Sequence, residues 1–192
     1  MNQKLIFLMG VSGSGKNTVQ PGLLADESLQ LEQVNTTTTR PLRPGENHGL
    51  FYDFVSQERF DELIQAGDFI EYALVHDKYY YGTRKSLVQD VFSHHKNVLK
   101  QLDIHGWEQI VHRPEVRSYA RSVFMTISDE TIRQRILSRD ETIAEEEIQR
   151  RLMSAHYERQ KATELCDVVI DVEDMTPEEQ CHRLKDLIVG LL

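Results

Sequence analysis

Residues 5–19 read LIFLMGVSGSGKNTV, an apolar run followed by a glycine-rich turn and a polar segment. An uninterrupted apolar run such as residues 5–9 is typical of a strand buried on both faces of a parallel sheet. The turn matches the pattern G-x-x-x-x-G-K-[ST], because Gly10, Gly15 and Lys16 have the required spacing. Asn17 stands where the pattern has serine or threonine. The stretch predicts a strand, a phosphate-binding loop and a helix that begins near Gly15.

The predicted loop has the chemistry that a polyphosphate requires. Glycines permit backbone conformations in which successive N–H groups point at phosphate oxygens. The helix N-terminus adds partial positive charge, and the lysine adds a full charge near the β- and γ-phosphates. We therefore predict that a nucleoside triphosphate binds here, through Gly10, Val11, Ser12, Gly13, Ser14, Gly15, Lys16, Asn17 and Thr18.

Composition narrows the class of protein. The chain has 192 residues, which suits one domain, and 31 acidic against 22 basic residues give a net charge of −9. This balance argues against a nucleic-acid surface, which needs excess positive charge, but permits a small basic pocket. We see no stretch long enough for a membrane span or a signal peptide. Cys166 and Cys181 lack metal-ligand spacing, so we expect reduced thiols in a cytoplasmic protein.

Strands and helices alternate along most of the chain. Apolar runs predict strands at 98–104, ending in Asp103, and at 123–127 and 167–171. A short helix is predicted at 105–113, and a second helix begins after a cap at Ser128 or Asp129. A long helix is predicted to follow an acidic hinge at 140–147 and to end at about residue 163, and a last helix begins at Thr176. Pro21 is expected to kink or shorten the first helix. This order predicts an α/β fold with a doubly wound, mostly parallel sheet.

Residues 34 to about 95 have a different character. They contain a threonine run, several tyrosines and alternating patches, which predict an inserted, partly β subdomain. One amphipathic helix is predicted at 56–66, where Phe60, Leu63 and Ile64 share a face.

Three segments resemble guanylate kinase motifs: TTTTRPLRPGENHGLFYDFV at 36–55, FIEYALVHDKYYYGT at 69–83 and LDIHG at 102–106. They follow the loop in the family's order, and the resemblance extends over residues 3–190. It implies one P-loop domain with a three-layer core (1–33, 97–137 and 152–192), a GMP-binding insert (34–96) and a helical lid (138–151). It also implies transfer of the γ-phosphoryl group of ATP to GMP and dGMP, with Mg²⁺.

The resemblance assigns the acceptor phosphate to the insert. Arginine forks fit phosphate oxygens, and tyrosine hydroxyls can complete the shell. The implied phosphate ligands are Arg40, Arg43, Tyr52 and Tyr81, and the resemblance also includes Glu46 among the residues that bind GMP. The segment from Glu71 to Gly82 is one residue longer than the family pattern, so Tyr80 is an alternative to Tyr81.

The resemblance assigns the base to a carboxylate. Guanine presents N1–H and a 2-amino group side by side, and one carboxylate accepts from both, whereas adenine would turn a lone pair toward it. Glu71 matches this residue, and Thr36 and Thr83 match the hydroxyl positions. Asp103 corresponds to an aspartate beside the base and the metal region, and both roles stay open.

The lid and the metal complete the implied site. Arg135, Arg139 and Arg151 match arginines that neutralise the transferring phosphoryl group, together with Lys16 and Arg40. Asp140 stands where the family often has glycine, and the segment DVED at 171–174 stands where it has an asparagine near the ATP nucleoside. The candidate Mg²⁺ ligands are Asn17 or Thr18, and Asp103.

Two other functions are compatible with a P-loop. One is a kinase for ribosyl phosphates such as ribose 1,5-bisphosphate, and the other is a non-catalytic guanylate-kinase-like module that binds proteins. The set of guanine and phosphate residues argues against the first, and the retained Lys16 argues against the second. We expect a monomer or homodimer that acts on ATP and GMP, with no nucleic-acid or membrane partner.

Overall fold

The computed structural model describes residues 3–43, 51–75, 78–138 and 141–192. Its strands are β1 (Leu5–Gly10), β2 (Leu31–Gln33), β3 (Thr36–Thr38), β4 (Tyr52–Phe54), β5 (Phe69–Val75), β6 (Tyr79–Arg84), β7 (Asn97–Gln101), β8 (Ala120–Thr126) and β9 (Val168–Asp171). Its helices are α1 (Lys16–Ala25), α2 (Gln57–Gln65), α3 (Lys85–Ser93), α4 (Ile104–Val111), α5 (Pro114–Arg117), α6 (Asp129–Leu137), α7 (Glu145–Leu165) and α8 (Pro177–Leu191), and a 3-10 turn covers Glu27–Leu29.

The main sheet confirms the predicted α/β fold. In the described part of the chain its strand order is β2-β7-β1-β8-β9, and neighbouring strands are parallel throughout. Residues 5–9 of the central strand β1 are all fully buried. Because successive side chains of a strand point to opposite faces, both faces of the sheet must be covered. The sheet and its two helical layers form the three-layer arrangement.

A second, mixed sheet lies within residues 34–96. Its described strands have the order β4-β3-β6-β5, with β3 parallel to β4 and antiparallel to β6. Helix α2 covers it, as the spacing predicts, by burying Phe60 and Leu63 against Phe69. Helix α3 packs instead on the main core through Val88, Val91 and Phe92.

Three local predictions differ from the structure. Strand β7 ends at Gln101, and Asp103 is the N-cap of α4, where its Oδ1 accepts from the Gly106 amide at 2.7 Å. The acidic hinge is shorter than 140–147, because its last three glutamates form the first turn of α7, where the helix dipole favours negative charge. Pro21 does not shorten helix α1, which continues to Ala25 and buries Val19 and Leu23 against the core.

The C-terminal helix follows the sequence pattern. Thr176 caps α8, Pro177 occupies its first position, and Thr176 and Glu179 form a reciprocal capping box. None of the helices in the described ranges is long and apolar enough to cross a bilayer.

Candidate active site

The phosphate loop, defined as residues 10–18, joins β1 to α1 at the carboxyl end of the central strand. Gly10 and Gly15 both have positive φ, at 154° and 96°. A side chain at Gly10 would overlap the Met125 carbonyl oxygen, and one at Gly15 would lie 2.8 Å from Gln180 Oε1. The loop therefore needs glycine at both positions, and its residues 13–18 line a small cavity of about 80 Å³.

Lys16 lies over this loop. Its Nζ donates to the carbonyl oxygens of Gly10 and Val11 at 2.5 and 3.1 Å, and contacts Ser14 Oγ at 3.4 Å. Burial lowers the pKa of the lysine, and the carboxylate of Glu158 on α7 opposes this shift. The ammonium is held at the cavity by neutral oxygens, which a phosphate can replace.

Asn17 begins a row of side-chain amides. Its Oδ1 accepts from Gln101 Nε2 at 2.9 Å, and the same Nε2 donates to Gln20 Oε1. Gln20 in turn donates to Gln33 Oε1 at 2.8 Å. These contacts connect the phosphate loop to the carboxyl end of β7 and to β2, so the residue that departs from the motif is fixed by neighbours far away in the chain.

Glu71 lies in the wall of a second cavity, of about 320 Å³, which we call the base cavity. The glutamate is only 7% exposed, and its Oε1 accepts from Thr83 Oγ1 at 2.6 Å. Burial raises its pKa and outweighs the hydrogen bond and the positive charge of Lys100, which both lower it. The cavity is lined, among others, by Thr36, Glu71, Tyr81, Thr83, Lys100 and Asp103.

Arg40 and two tyrosines form a cluster on the second sheet. Arg40 is 5% exposed, its guanidinium carbon lies 5.2 Å from the centre of the Tyr52 ring, and Tyr52 meets Tyr81 edge to face at 6.4 Å. Tyr80 points the other way and stacks on Phe60 at 5.2 Å. This arrangement brings Tyr81 to the site and places Tyr80 in the apolar cluster under α2. Arg43 is exposed, and Glu46 lies outside the described residues.

The three arginines expected to neutralise the transferring phosphoryl group are not all brought to the loop. Arg135 Nη1 donates to the Gly13 carbonyl at 2.7 Å, so this arginine contacts the phosphate loop directly. Arg151 pairs with Glu147 one turn earlier in α7, at 2.7 Å between Nε and Oε1. Arg139 and Asp140 lie outside the described residues.

Three cavities lie next to one another. A cavity of about 600 Å³ shares Asn17 with the loop and shares Thr36, Lys100 and Gln101 with the base cavity. The phosphate loop, the amide row and Glu71 therefore line adjoining cavities. A cavity of about 650 Å³ lies apart, between the 171–174 segment and α8, and its walls carry five carboxylates. These carboxylates would repel a polyphosphate, so size alone does not identify the phosphate site.

The described residues offer few protein ligands for Mg²⁺. No group of three or more His, Cys, Asp or Glu that could hold a metal occurs in the described ranges. Asn17 Oδ1 has two lone pairs, and one of them accepts the hydrogen bond from Gln101, so the other remains for a cation. Thr18 is exposed beside it, whereas Asp103 lines the base cavity and caps α4. Mg²⁺ usually keeps waters and binds through phosphates with one or two protein oxygens, so this set suffices.

Sequence reasoning missed three residues of this site. Lys100 lies in the base cavity, Gln101 holds Asn17, and Glu158 supplies charge near Lys16. The sequence carried a signal for the first: Lys100 interrupts an apolar strand, and a charge in such a strand is either paired or functional.

The comparisons with known proteins agree with this geometry. The guanylate kinase family model matches residues 2–190. The chain is 36% identical over 192 residues to the guanylate kinase of Helicobacter pylori, covering 94% of this chain and 89% of the relative. It is 35% identical over 212 residues to that of Methylobacillus flagellatus, with both chains covered completely.

A solved guanylate kinase structure has the same fold. The crystal structure of guanylate kinase from Anaplasma phagocytophilum superposes with a TM-score of 0.71 at 25% identity, covering 98% of this chain and 85% of that one. The family match covers nearly the whole chain, and the loop, insert and base cavity fall within it. The chain belongs to the guanylate kinase family.

Proposed function

We propose that the protein transfers the γ-phosphoryl group of ATP to GMP, and to dGMP, giving ADP and GDP or dGDP. The observation that carries the proposal is the buried carboxylate of Glu71, in a cavity that adjoins the one lined by Asn17 of the phosphate loop. Few substrates other than a guanine nucleotide offer two adjacent donors to a carboxylate and a phosphate that can reach the loop.

The transfer needs no covalent intermediate with the protein. An oxygen of the GMP phosphate attacks the γ-phosphorus, the bond from that phosphorus to the β,γ-bridging oxygen breaks, and ADP leaves with the electron pair. The acceptor phosphate carries nearly two negative charges at neutral pH, so no general base is required. The work of the protein is to align the two nucleotides, neutralise charge and exclude water.

The proposed roles follow from position. Backbone amides of the phosphate loop bind the polyphosphate, and Lys16 exchanges its loop carbonyls for phosphate oxygens. Arg135, already in contact with Gly13, neutralises the transferring group, and we keep Arg139 and Arg151 in this role as family expectations. For Arg151 the role requires release from Glu147 when the lid closes.

The acceptor nucleotide is bound on the other side of the amide row. Arg40, Arg43, Tyr52 and Tyr81 hold its phosphate, and the cluster around Arg40 supports this assignment. Glu46 stays among the GMP-binding residues as a family expectation. Glu71 accepts from guanine N1–H and the 2-amino group, and Thr83 holds the carboxylate in place. Asp103 in the cavity wall supports a role beside the base.

Mg²⁺ would be held by the nucleotide phosphates together with Asn17 or Thr18, and it would neutralise charge on the β- and γ-phosphates. We keep the division into a core, an insert (34–96) and a lid (138–151) as part of the proposal. The proposed acceptor residues come from a single chain, so each subunit would be active in a monomer or a homodimer. The two free cysteines, Cys166 and Cys181, are compatible with the reducing cytoplasm that we propose.

One coupled assay tests the function. Purified protein with Mg²⁺ and ATP is given GMP, dGMP, AMP, UMP or ribose 1,5-bisphosphate, and ADP formation is followed. We expect turnover with GMP and dGMP. Turnover with ribose 1,5-bisphosphate alone would identify a sugar-phosphate kinase, and no turnover with any acceptor would favour a binding module; either result overturns the proposal.

A further inference from the structure

Lys100 is a charged residue in the middle of a buried strand. It lies on β7 directly after Val98 and Leu99, which are fully buried, and it is itself only 5% exposed. Taking an ammonium group out of water costs several kcal/mol unless polar partners replace the water. An apolar side chain would suit this strand better, so a charged side chain here indicates a function for the charge.

The contacts of Lys100 use two of its three N–H groups. Nζ donates to the Val34 carbonyl at 3.1 Å and to Thr36 Oγ1 at 2.5 Å. In the described ranges, Lys100 makes no ion pair with a carboxylate, and these two hydrogen bonds leave its third N–H without an acceptor. Glu71 acts on it only through the longer-range attraction of opposite charges. A lysine has three donors, so one remains for a ligand.

The remaining donor belongs to the cavity that holds Glu71. Lys100 and Thr36 line the base cavity together with Glu71 and Thr83, and they also line the neighbouring cavity, to which Asn17 of the phosphate loop contributes. Thr36 accepts from Lys100, so its own hydroxyl proton is free to point into the cavity as well. One part of the wall thus accepts hydrogen bonds, at Glu71, and another part donates them, at Lys100 and Thr36.

This pattern of donors and acceptors matches one edge of guanine. The 2-amino group and N1–H are donors, and O6 beside them is an acceptor. Adenine presents an acceptor at N1 and a donor at the 6-position, which would place an amino group against an ammonium. In DNA recognition, arginine or lysine donating to guanine O6 and N7 is the commonest specific base contact, and the same chemistry applies here.

We propose that Lys100 is a second base-specificity residue, whose ammonium donates to O6 of the acceptor nucleotide while Glu71 accepts from the 2-amino group and N1–H. The inference rests on the proposed function, because it assumes that GMP occupies the base cavity. It adds a positive selection for the 6-oxo group to the selection for donors made by Glu71.

The test pairs a change in the protein with a change in the ligand. Calorimetry measures the binding of GMP and of 6-thioguanosine monophosphate to the wild type and to Lys100→Met. The analogue keeps N1–H and the 2-amino group but has sulfur in place of O6. The larger sulfur affects both proteins alike, so the comparison isolates the contact of Lys100 with the 6-position.

We expect the wild type to prefer GMP over the thio analogue by about tenfold or more, as for a hydrogen bond to a charged group. Lys100→Met should bind GMP about as weakly as the wild type binds the analogue, and its preference should fall below about threefold. Lys96→Met is the matched control, because that exposed lysine pairs with Glu32 on the surface and should change neither affinity. Inosine monophosphate lacks only the 2-amino group, which Lys100 does not contact in the proposal. The ratio of its affinity to that of GMP should therefore be the same for Lys100→Met and the wild type.

Two outcomes would overturn the inference. A wild type that binds both nucleotides equally does so, whatever the variants do. An equal loss of both ligands in a folded Lys100→Met would show that the lysine only fixes residues 34–36. If Lys100→Met fails to fold, Lys100→Gln keeps a polar group for Val34 and Thr36 and must still reduce the preference. Absence of GMP turnover in the wild type would instead overturn the proposed function, so the two failures are distinct.

Discussion

Replacing Glu71 with glutamine changes one atom in the base cavity. The amide is the same size as the carboxylate, and its carbonyl can still accept from Thr83 Oγ1, now 2.6 Å from Oε1. The second oxygen becomes an NH₂ group that faces a guanine donor. The variant should therefore fold normally and lose one hydrogen bond between the base and a charged group.

The magnitude follows from the burial of the site. A hydrogen bond to a charged group contributes about 1.5–3 kcal/mol, and Glu71 is 7% exposed, so water cannot replace the lost acceptor. We expect kcat/KM for GMP to fall about ten- to hundredfold. The kcat/KM for AMP should rise, because the amide can donate to adenine N1. The ratio of kcat/KM for GMP to that for AMP should therefore fall still further.

The assay is coupled ADP formation with GMP and with AMP at fixed Mg²⁺ and ATP. Glu62→Gln is the matched control, because that glutamate is exposed on α2 and pairs with Arg59, and it should change neither rate. A folded Glu71→Gln with an unchanged GMP to AMP ratio would remove Glu71 from base recognition and refute the reasoning.

The pH dependence gives a second measurement on the same residue. Burial raises the pKa of Glu71, the negative charge of Asp103 adds to the rise, and Lys100 opposes it. A carboxyl with a raised pKa takes up its proton at a higher pH than an ordinary glutamate, and the protonated form cannot accept from both guanine donors. The wild type should therefore lose kcat/KM for GMP as the pH falls, starting nearer neutrality than an ordinary carboxylate would allow, whereas Glu71→Gln should lack this acidic limb.

Three further changes test other parts of the site. Lys16→Ala should lower turnover about a hundredfold or more with an unchanged circular dichroism spectrum, and a near-normal rate would overturn the phosphate-loop assignment. Asn17→Ser, which removes the contact with Gln101, should lower the Mg²⁺ concentration for half-maximal rate about two- to tenfold; an unchanged value means that the side chain never meets the metal. Phe60→Ala empties the cluster under α2 and should cost about 3–5 kcal/mol in urea unfolding, against less than about 0.5 for the exposed Phe51→Ala; similar losses would show that the cluster is not packed.

Much of the fold could be predicted because its signals are local. The apolar run at residues 5–9, the glycines of the loop and the cap at Thr176 each determine a structure within a few residues. Boundaries were less predictable where two local rules compete. Asp103 ends an apolar run but also caps the helix that follows, and capping decides where the strand stops.

The sequence by itself determined the phosphate loop, the alternation of strands and helices, and the residue types that we propose for recognition of a guanine nucleotide. Tertiary structure alone decided which of these side chains meet. Gln101 lies 84 positions from Asn17, and Lys100 lies 64 positions from Thr36, yet each pair shares a hydrogen bond. Tyr80 and Tyr81 are neighbours in sequence but face opposite sides of the sheet. The reason is that burial and pairing depend on what the folded chain brings alongside a residue, and no local pattern encodes a partner so far away.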